Sequence, residues 1–447
     1  MNNTIKKILH ITSFVIVIAV FASVGFYSFF DKDEKMSEAE NRNLAQKPEF
    51  SISSYFSGDF ASNFEEYYND QFPGRNTLVK ISNKIKAFYS CFRMGDGATV
   101  IQGQGGIGEG EALVKPTDES EKSEETSAFE TTSGNTQSSA EKPTSAVEVK
   151  DEGKETVYSS DYIIILDHRA MEMYTNSYKK IDAYVETLNK LKKTLPDTKV
   201  YCLLAPTSIE FYAPKKYNDG KSKSQYQGIT YAYSQLNDIT TVDAYREIAE
   251  HTDEYLYFRT DHHWTARGSY YAYIAFSKVA GFEPVNINSL KSGVLKPFLG
   301  SLYRTTQSAD LEKNPDYLEY FIPAAKTSAI AAADAEMKNN YQIEVINTDI
   351  TSSNKYLAFI EGDNPVTKIT TDVQNNKSVL VIKESYGNAF VPWLCNNYKN
   401  VYVIDPRKLT VNLSEFVQKN KIQEVIFLNY MFIPTNQTYM TALDSMI

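Results

Sequence analysis

Two short stretches carry residue types that could do covalent chemistry together. The first is Thr260-Asp261-His262-His263-Trp264-Thr265. The chain has only 5 His among 447 residues, and two stand side by side here, directly after an Asp. A carboxylate beside an imidazole fixes its tautomer and raises its basicity. In an extended segment residues i and i+2 project to the same side. Asp261 and His263 are therefore expected to meet, whereas His262 and His263 should point apart. The second stretch is Val381-Ile382-Lys383-Glu384-Ser385-Tyr386-Gly387-Asn388. Ser385 stands just past a buried-strand pattern, where a new helix begins. Backbone N–H groups at a helix start can hold an oxyanion. Ser alone is a weak nucleophile and needs a base that is itself oriented by a third group. The base–orienter pair this sequence offers is His263 with Asp261. Candidate oxyanion donors are the N–H of Ser385 and, from their positions at loop or strand ends, Gly300 and Asn429.

Blander readings of the same residues stay open. Asp-His-His-Trp can be a structural junction in which a His donates to a backbone carbonyl and the Trp fills core. Asp261, His262 and His263 can also be half of a metal site, although no second His-rich segment completes it; no metal is expected. A Ser after a strand is often turn chemistry.

The elements that must position these groups follow from periodicity. Thr265 is a fair N-cap, and Tyr271, Ile274, Ala275 and Val279 recur at helical spacing until Gly281. Tyr178, Ile181, Tyr184, Val185, Leu188 and Leu191 trace another helical face. The runs Tyr162–Leu166, Lys199–Leu204, Ser378–Ile382, Val401–Ile404 and Glu424–Leu428 read as buried strands. Alternating strands and helices predict an α/β domain with a mostly parallel sheet, whose ligands bind outside the carboxyl ends of strands. Residues 282–376 show no clear pattern.

The remainder divides by composition. Lys6 and Lys7 precede an apolar run from Ile8 to Phe30, closed by Asp31-Lys32-Asp33-Glu34-Lys35. Such a run is long enough to span a bilayer. Its flanking charge predicts a cytoplasmic N-terminus and an extracytoplasmic bulk. A signal anchor is preferred over a cleaved signal peptide, because no clean A-x-A site follows. The expected parts are a tip and membrane anchor at 1–35, a helical part at 36–112, a disordered acidic Ser/Thr-rich insertion at 113–157 and the α/β domain at 158–447. Two helices broken at Pro73-Gly74 are expected between Tyr55 and Phe92. Gly103-Gln104-Gly105-Gly106-Ile107-Gly108 matches a dinucleotide fingerprint, but no helix pattern follows it, so it reads as a loop and no cofactor is expected. The net charge of −10 argues against nucleic acid. Cys91, Cys202 and Cys395 are too widely spaced for a disulfide framework or a zinc ribbon.

Asp-x-His-Trp-Thr, followed much later by a strand and Glu384-Ser385-Tyr386, resembles the DHHW proteins of Gram-positive bacteria. More distantly it is similar to the alginate O-acetyltransferase-type proteins. Glu40-Asn41-Arg42-Asn43-Leu44, Asn69-Asp70-Gln71-Phe72-Pro73-Gly74-Arg75, Val391-Pro392-Trp393-Leu394 and Asp405-Pro406-Arg407 extend the resemblance. It implies an SGNH-hydrolase-like three-layer α/β/α sandwich. It also implies acyl-enzyme chemistry on sugar hydroxyls at the cell surface, with Ser385 as nucleophile, His263 as base and Asp261 as orienter. Glu384 departs from the Asp usual before that Ser. His262, Trp264, Arg259 and Tyr386 are candidate substrate contacts. The implied partners are a cell-envelope polysaccharide and, for a transferase, a multi-pass membrane acyltransferase that delivers the acyl group. A glycan-binding protein with a vestigial site is the alternative.

Overall fold

The computed structural model describes residues 12, 33, 35–37, 42–75, 77, 78, 81, 99–102, 162–218 and 223–447. The expected membrane span, the Gly-rich loop, the acidic insertion and most of the helix after Pro73-Gly74 lie outside the described residues. Among the described residues no helix is long and apolar enough to cross a membrane.

Two units divide the chain, one of residues 1–89 with 307–309, the other of residues 90–306 with 310–447. In the first, α1 (Ile52–Ser57) starts at Ser51, which forms a capping box with Ser54, and stops at the left-handed Gly58. Then α2 (Asp59–Asp70) runs to the expected break before Pro73-Gly74. Asp70, at its end, accepts the Ala45 N–H at 2.8 Å.

The second unit is an α/β body. Its strands are β1 (Thr99–Gln102), β2 (Tyr162–Leu166), β3 (Arg169–Glu172), β4 (Lys199–Ala205), β5 (Thr240–Thr241), β6 (Lys291–Phe298), β7 (Asp316–Ile322), β8 (Thr327–Ala332), β9 (Asn340–Ile343), β10 (Val366–Thr371), β11 (Ser378–Lys383), β12 (Asn400–Ile404) and β13 (Glu424–Tyr430). The main sheet has the order β9-β8-β10-β12-β11-β13-β4-β5. From β12 to β5 the neighbours are parallel. The pairs β9–β8, β8–β10 and β10–β12 are antiparallel. The sheet is therefore mixed rather than mostly parallel. The antiparallel edge comes from residues 327–371, where Thr, Lys and Ala weaken the alternation that marks a strand.

Pleating sorts the parallel strands onto two cores. Val379, Val381, Ile426, Leu428, Tyr201 and Leu203 join one core, with α3 (Ala266–Ala280) and α4 (Tyr386–Leu394). Leu380, Ile382, Val425, Phe427, Val200 and Cys202 join the other. That layer contains α5 (Tyr178–Lys193), α6 (Leu413–Lys419) and α7 (Gln437–Asp444). A small antiparallel sheet, β1-β2-β3, and the helix Ser301–Thr306 share a third cluster through Ile163, Ile165, Ala170 and Leu302. Cys202 and Cys395 are buried and unpaired.

Candidate active site

Asp261, His262 and His263 occupy a bent loop, not the extended segment anticipated above. An antiparallel bridge between Tyr257 and Trp264 closes the loop. The buried carboxylate of Asp316 folds it from within, accepting the Arg259 N–H at 3.0 Å and the Thr260 N–H and hydroxyl, each at 2.6 Å. Asp261 adds a side-chain turn of its own, since its Oδ1 accepts the His263 N–H at 2.9 Å. Thr265 then caps α3 by accepting the Gly268 N–H at 3.2 Å, and a left-handed Gly281 ends that helix. Bending turns the adjacent imidazoles towards each other, with ring centroids 3.8 Å apart, where an extended chain would hold them on opposite sides.

Ser385 meets this loop from the carboxyl end of β11, at the N-cap of α4. Its Oγ lies 2.8 Å from His263 Nε2, and His263 Nδ1 lies 2.6 Å from Asp261 Oδ1. Asp261 Oδ2 takes the Ser301 N–H at 2.7 Å. Burial alone would raise the Asp261 pKa, but the imidazole of His263 holds it well below the ordinary carboxylate range. An ionised carboxylate only accepts hydrogen bonds, so Nδ1–H of His263 donates to it. That leaves the Nε2 lone pair facing the Ser385 hydroxyl. All three side chains are almost fully buried.

Neighbouring groups hold this chain in place. The Tyr356 ring stacks on His263 at 3.8 Å and 9°, and its hydroxyl donates to the Ser385 carbonyl at 3.1 Å. Trp264 Nε1 donates to the Tyr386 carbonyl at 2.9 Å, and the Tyr386 hydroxyl donates back to the His262 carbonyl at 2.6 Å. Glu384 accepts the N–H groups of Tyr386 at 2.8 Å and Tyr430 at 3.0 Å. Its longer arm thus ties the serine turn to β13. Burial pushes its pKa up to about 7 against the pull of those donors.

Several anticipated residues are engaged in other contacts. Asn429 has the parity of Val425 and Phe427, so it lies across the sheet from the serine. There its carboxamide is fixed between Tyr184 at 3.0 Å and Tyr439 at 2.7 Å. The Gly300 N–H donates to Thr260 Oγ1 at 3.0 Å, and the residue lies so close to Asp261 that a Cβ would sit 2.2 Å from the Asp261 Cβ. Neither is placed to serve an oxyanion. Among the described residues none accepts the Ser385 N–H. Trp264 and Tyr386 are fully buried and brace the loop instead of offering a face to substrate. Arg259 is held by the Asp316 carboxylate and the Pro315 carbonyl. His262 is 6% exposed, and burial, reinforced by the His263 ring, pushes its pKa down to about 3. The Asp261, His262 and His263 side chains lie close enough to hold a metal ion. Their Oδ and Nδ1 atoms are already committed to one another and to Ser301.

Sequence reasoning passed over Ser301, Asp316, Tyr356 and Glu172. Glu172 ends β3, half-buried and with no ion pair or side-chain hydrogen bond among the described residues. Burial and then the charge of Asp261 push its pKa up to about 8. Ser301 lies in the quiet stretch after Gly300; the other three lack any local pattern that marks them.

These observations define an α/β protein with a buried Ser–His–Asp hydrogen-bonded chain at the carboxyl end of parallel strands. The chain belongs to the family described as DHHW protein, whose model matches residues 134–404. No curated protein matches it. Among solved structures it is similar to a DHHW family protein from Eubacterium siraeum, at 26% identity and TM-score 0.58, covering 64% of this chain and 96% of that one. It is also similar to Bacillus cereus PatB1 with a sulfonyl adduct, at 20% identity and TM-score 0.53, covering 62% and 97%. A more distant likeness is to the O-acetyltransferase domain of Pseudomonas putida AlgJ, at 12% identity and TM-score 0.39, covering 63% and 98%.

Proposed function

We propose that this protein is an SGNH-hydrolase-like O-acyltransferase or O-acetylesterase that acts on a cell-envelope polysaccharide through an acyl-serine. The observation that carries the reading is the continuous chain from Asp261 through His263 to Ser385, with separations of 2.6 and 2.8 Å. These lie within the reach that proton transfer needs. His263 takes the Ser385 proton as Oγ attacks the acyl carbonyl. The oxyanion collapses, and the leaving oxygen receives that proton. In the second half His263 deprotonates a sugar hydroxyl or water as it attacks the acyl carbonyl; the bond to Ser385 Oγ breaks, and His263 returns the proton to that oxygen. Asp261 offsets the charge on the imidazolium in both halves.

The acetyl group and the glycan rest on the resemblance to alginate O-acetyltransferase-type proteins. Placement outside the membrane rests on the apolar run Ile8 to Phe30 and its charged flanks. Transfer would further require a multi-pass membrane partner to supply the acyl donor.

Hydrolysis of p-nitrophenyl acetate by the full chain, compared with Ser385→Ala and His263→Ala, tests this reading. Activity lost in both variants supports the acyl-serine. Equal activity in all three folded proteins removes the triad as an esterase site and favours glycan binding. A sulfonyl fluoride gives a second readout, because mass analysis should place its adduct on Ser385.

A further inference from the structure

We propose that His262 is a second catalytic imidazole: a neutral Nε2–H donor to the oxygen that becomes negative when Ser385 attacks an acyl carbonyl. This role rests on the acyl-serine reading above. Four observations carry it.

The first concerns the tautomer. Ser301 Oγ accepts the His262 backbone N–H at 3.3 Å and lies 2.6 Å from His262 Nδ1. Among the described residues nothing else accepts the Ser301 hydroxyl proton. The hydroxyl therefore donates to Nδ1, and the ring's own proton sits on Nε2. Ser301 is fixed in turn, because its N–H is held by Asp261 Oδ2 at 2.7 Å.

The second concerns direction. The His262 and His263 rings lie 3.8 Å apart, and both Nδ1 atoms are on the side of Asp261 Oδ1, at 3.8 and 2.6 Å. His263 turns its Nε2 to Ser385 Oγ. With its Nδ1 on the same side and its ring 3.8 Å away, we infer that His262 turns its Nε2 the same way. The His262 carbonyl is anchored by the hydroxyl of Tyr386, the residue after the nucleophile, so loop and nucleophile move as one piece.

The third is that His262 Nε2 has no hydrogen-bond partner among the described residues. A histidine serving only to fill core normally has both nitrogens satisfied. Here one is fixed by Ser301 and Nε2 is left for a ligand.

The fourth is a shortage of donors. Gly300 and Asn429 are both committed elsewhere, which leaves the Ser385 N–H to face the oxyanion. A developing oxyanion is stabilised by several preorganised donors, and a neutral imidazole is an effective one in a dry site. Neutrality also suits the position. When His263 becomes an imidazolium, a charged His262 ring at 3.8 Å would oppose the proton transfer.

The test has two arms. Nitrogen-15 NMR of the full chain, with histidines labelled, should find His262 neutral with its proton on Nε2 at pH 7, and Ser301→Ala should remove that preference. A proton on Nδ1 in the wild-type protein overturns the proposal. In p-nitrophenyl acetate hydrolysis, His262→Ala should lower kcat by ~10²–10³-fold with little change in KM, the scale set by loss of one oxyanion donor. His262→Gln, which keeps an N–H, should recover at least tenfold of that loss. If Ser385→Ala abolishes turnover while folded His262→Ala keeps it within about threefold, the donor role fails and the acyl-serine stands. If Ser385→Ala has no effect, both fail.

Discussion

Asp261 is the residue on which the site converges. One of its oxygens turns the backbone through the His263 N–H and orients the ring through Nδ1; the other fixes Ser301. Asp261→Asn keeps the size but ends the acceptor-only character, so the His263 tautomer is no longer imposed. We expect kcat for p-nitrophenyl acetate to fall ~10³–10⁴-fold with the fold intact by circular dichroism, as when a triad carboxylate is replaced by its amide. Glu172 supplies a pH test. Its folded pKa is raised from 4.5 to about 8, so the folded protein binds a proton that the unfolded chain has released. Its stabilising effect is complete below pH 4.5 and lost as pH rises through about 8. Urea denaturation at pH 5 and pH 8.5 should show a smaller decline for Glu172→Gln than for wild type.

At the scale of elements, the geometry of the candidate site depends on the contact between the His loop and the start of the helix Ser301–Thr306. Gly300 sits at that contact. An added Cβ would stand 2.2 Å from the Asp261 Cβ and 2.3 Å from its Oδ2, so Asp261 has to move. Displacements of about 1 Å in a catalytic array cost about 10²-fold. Gly300→Ala should accordingly lose about that factor in kcat, while its melting temperature drops by only a few degrees. An equal loss of stability and activity would instead make Gly300 a general packing residue.

Across the whole molecule, a buried ionic group ties the serine strand to its surroundings. Lys383, the last residue of β11, pairs with Asp363 at 2.7 Å. Arg407 reaches Asp363 at 2.9 Å and Asp405 at 2.6 Å. Burial would raise the Asp363 pKa, but Lys383 and Arg407 hold it below the usual range. Lys383→Met leaves two buried carboxylates sharing one guanidinium. Breaking such a pair costs ~3 kcal/mol or more, readable as a lower urea midpoint with an unchanged m-value. Because Gly387 lies against the Lys383 side chain, this variant should also loosen the serine turn and reduce turnover.

Local chemistry was enough to read much of this from sequence. The buried strands are continuous apolar runs, α3 carries its own cap at Thr265 and stop at Gly281, and an Asp two residues before a His next to a strand-end Ser names three side chains that now meet. The antiparallel edge β8–β10 escaped because its strands depend on cross-strand partners more than on an apolar pattern. Asp316, Tyr356 and Ser301 escaped for a related reason: they reach the His loop from 39 to 93 residues away, and nothing beside them in sequence records that contact. Strand parity, which a single inserted residue would reverse, put Asn429 on the far face. The bend of the His loop was likewise decided by Asp316 and the Tyr257–Trp264 bridge. Sequence could therefore name the three side chains that meet in the candidate site; only the tertiary contacts could say how the His262 ring is turned and what holds it there.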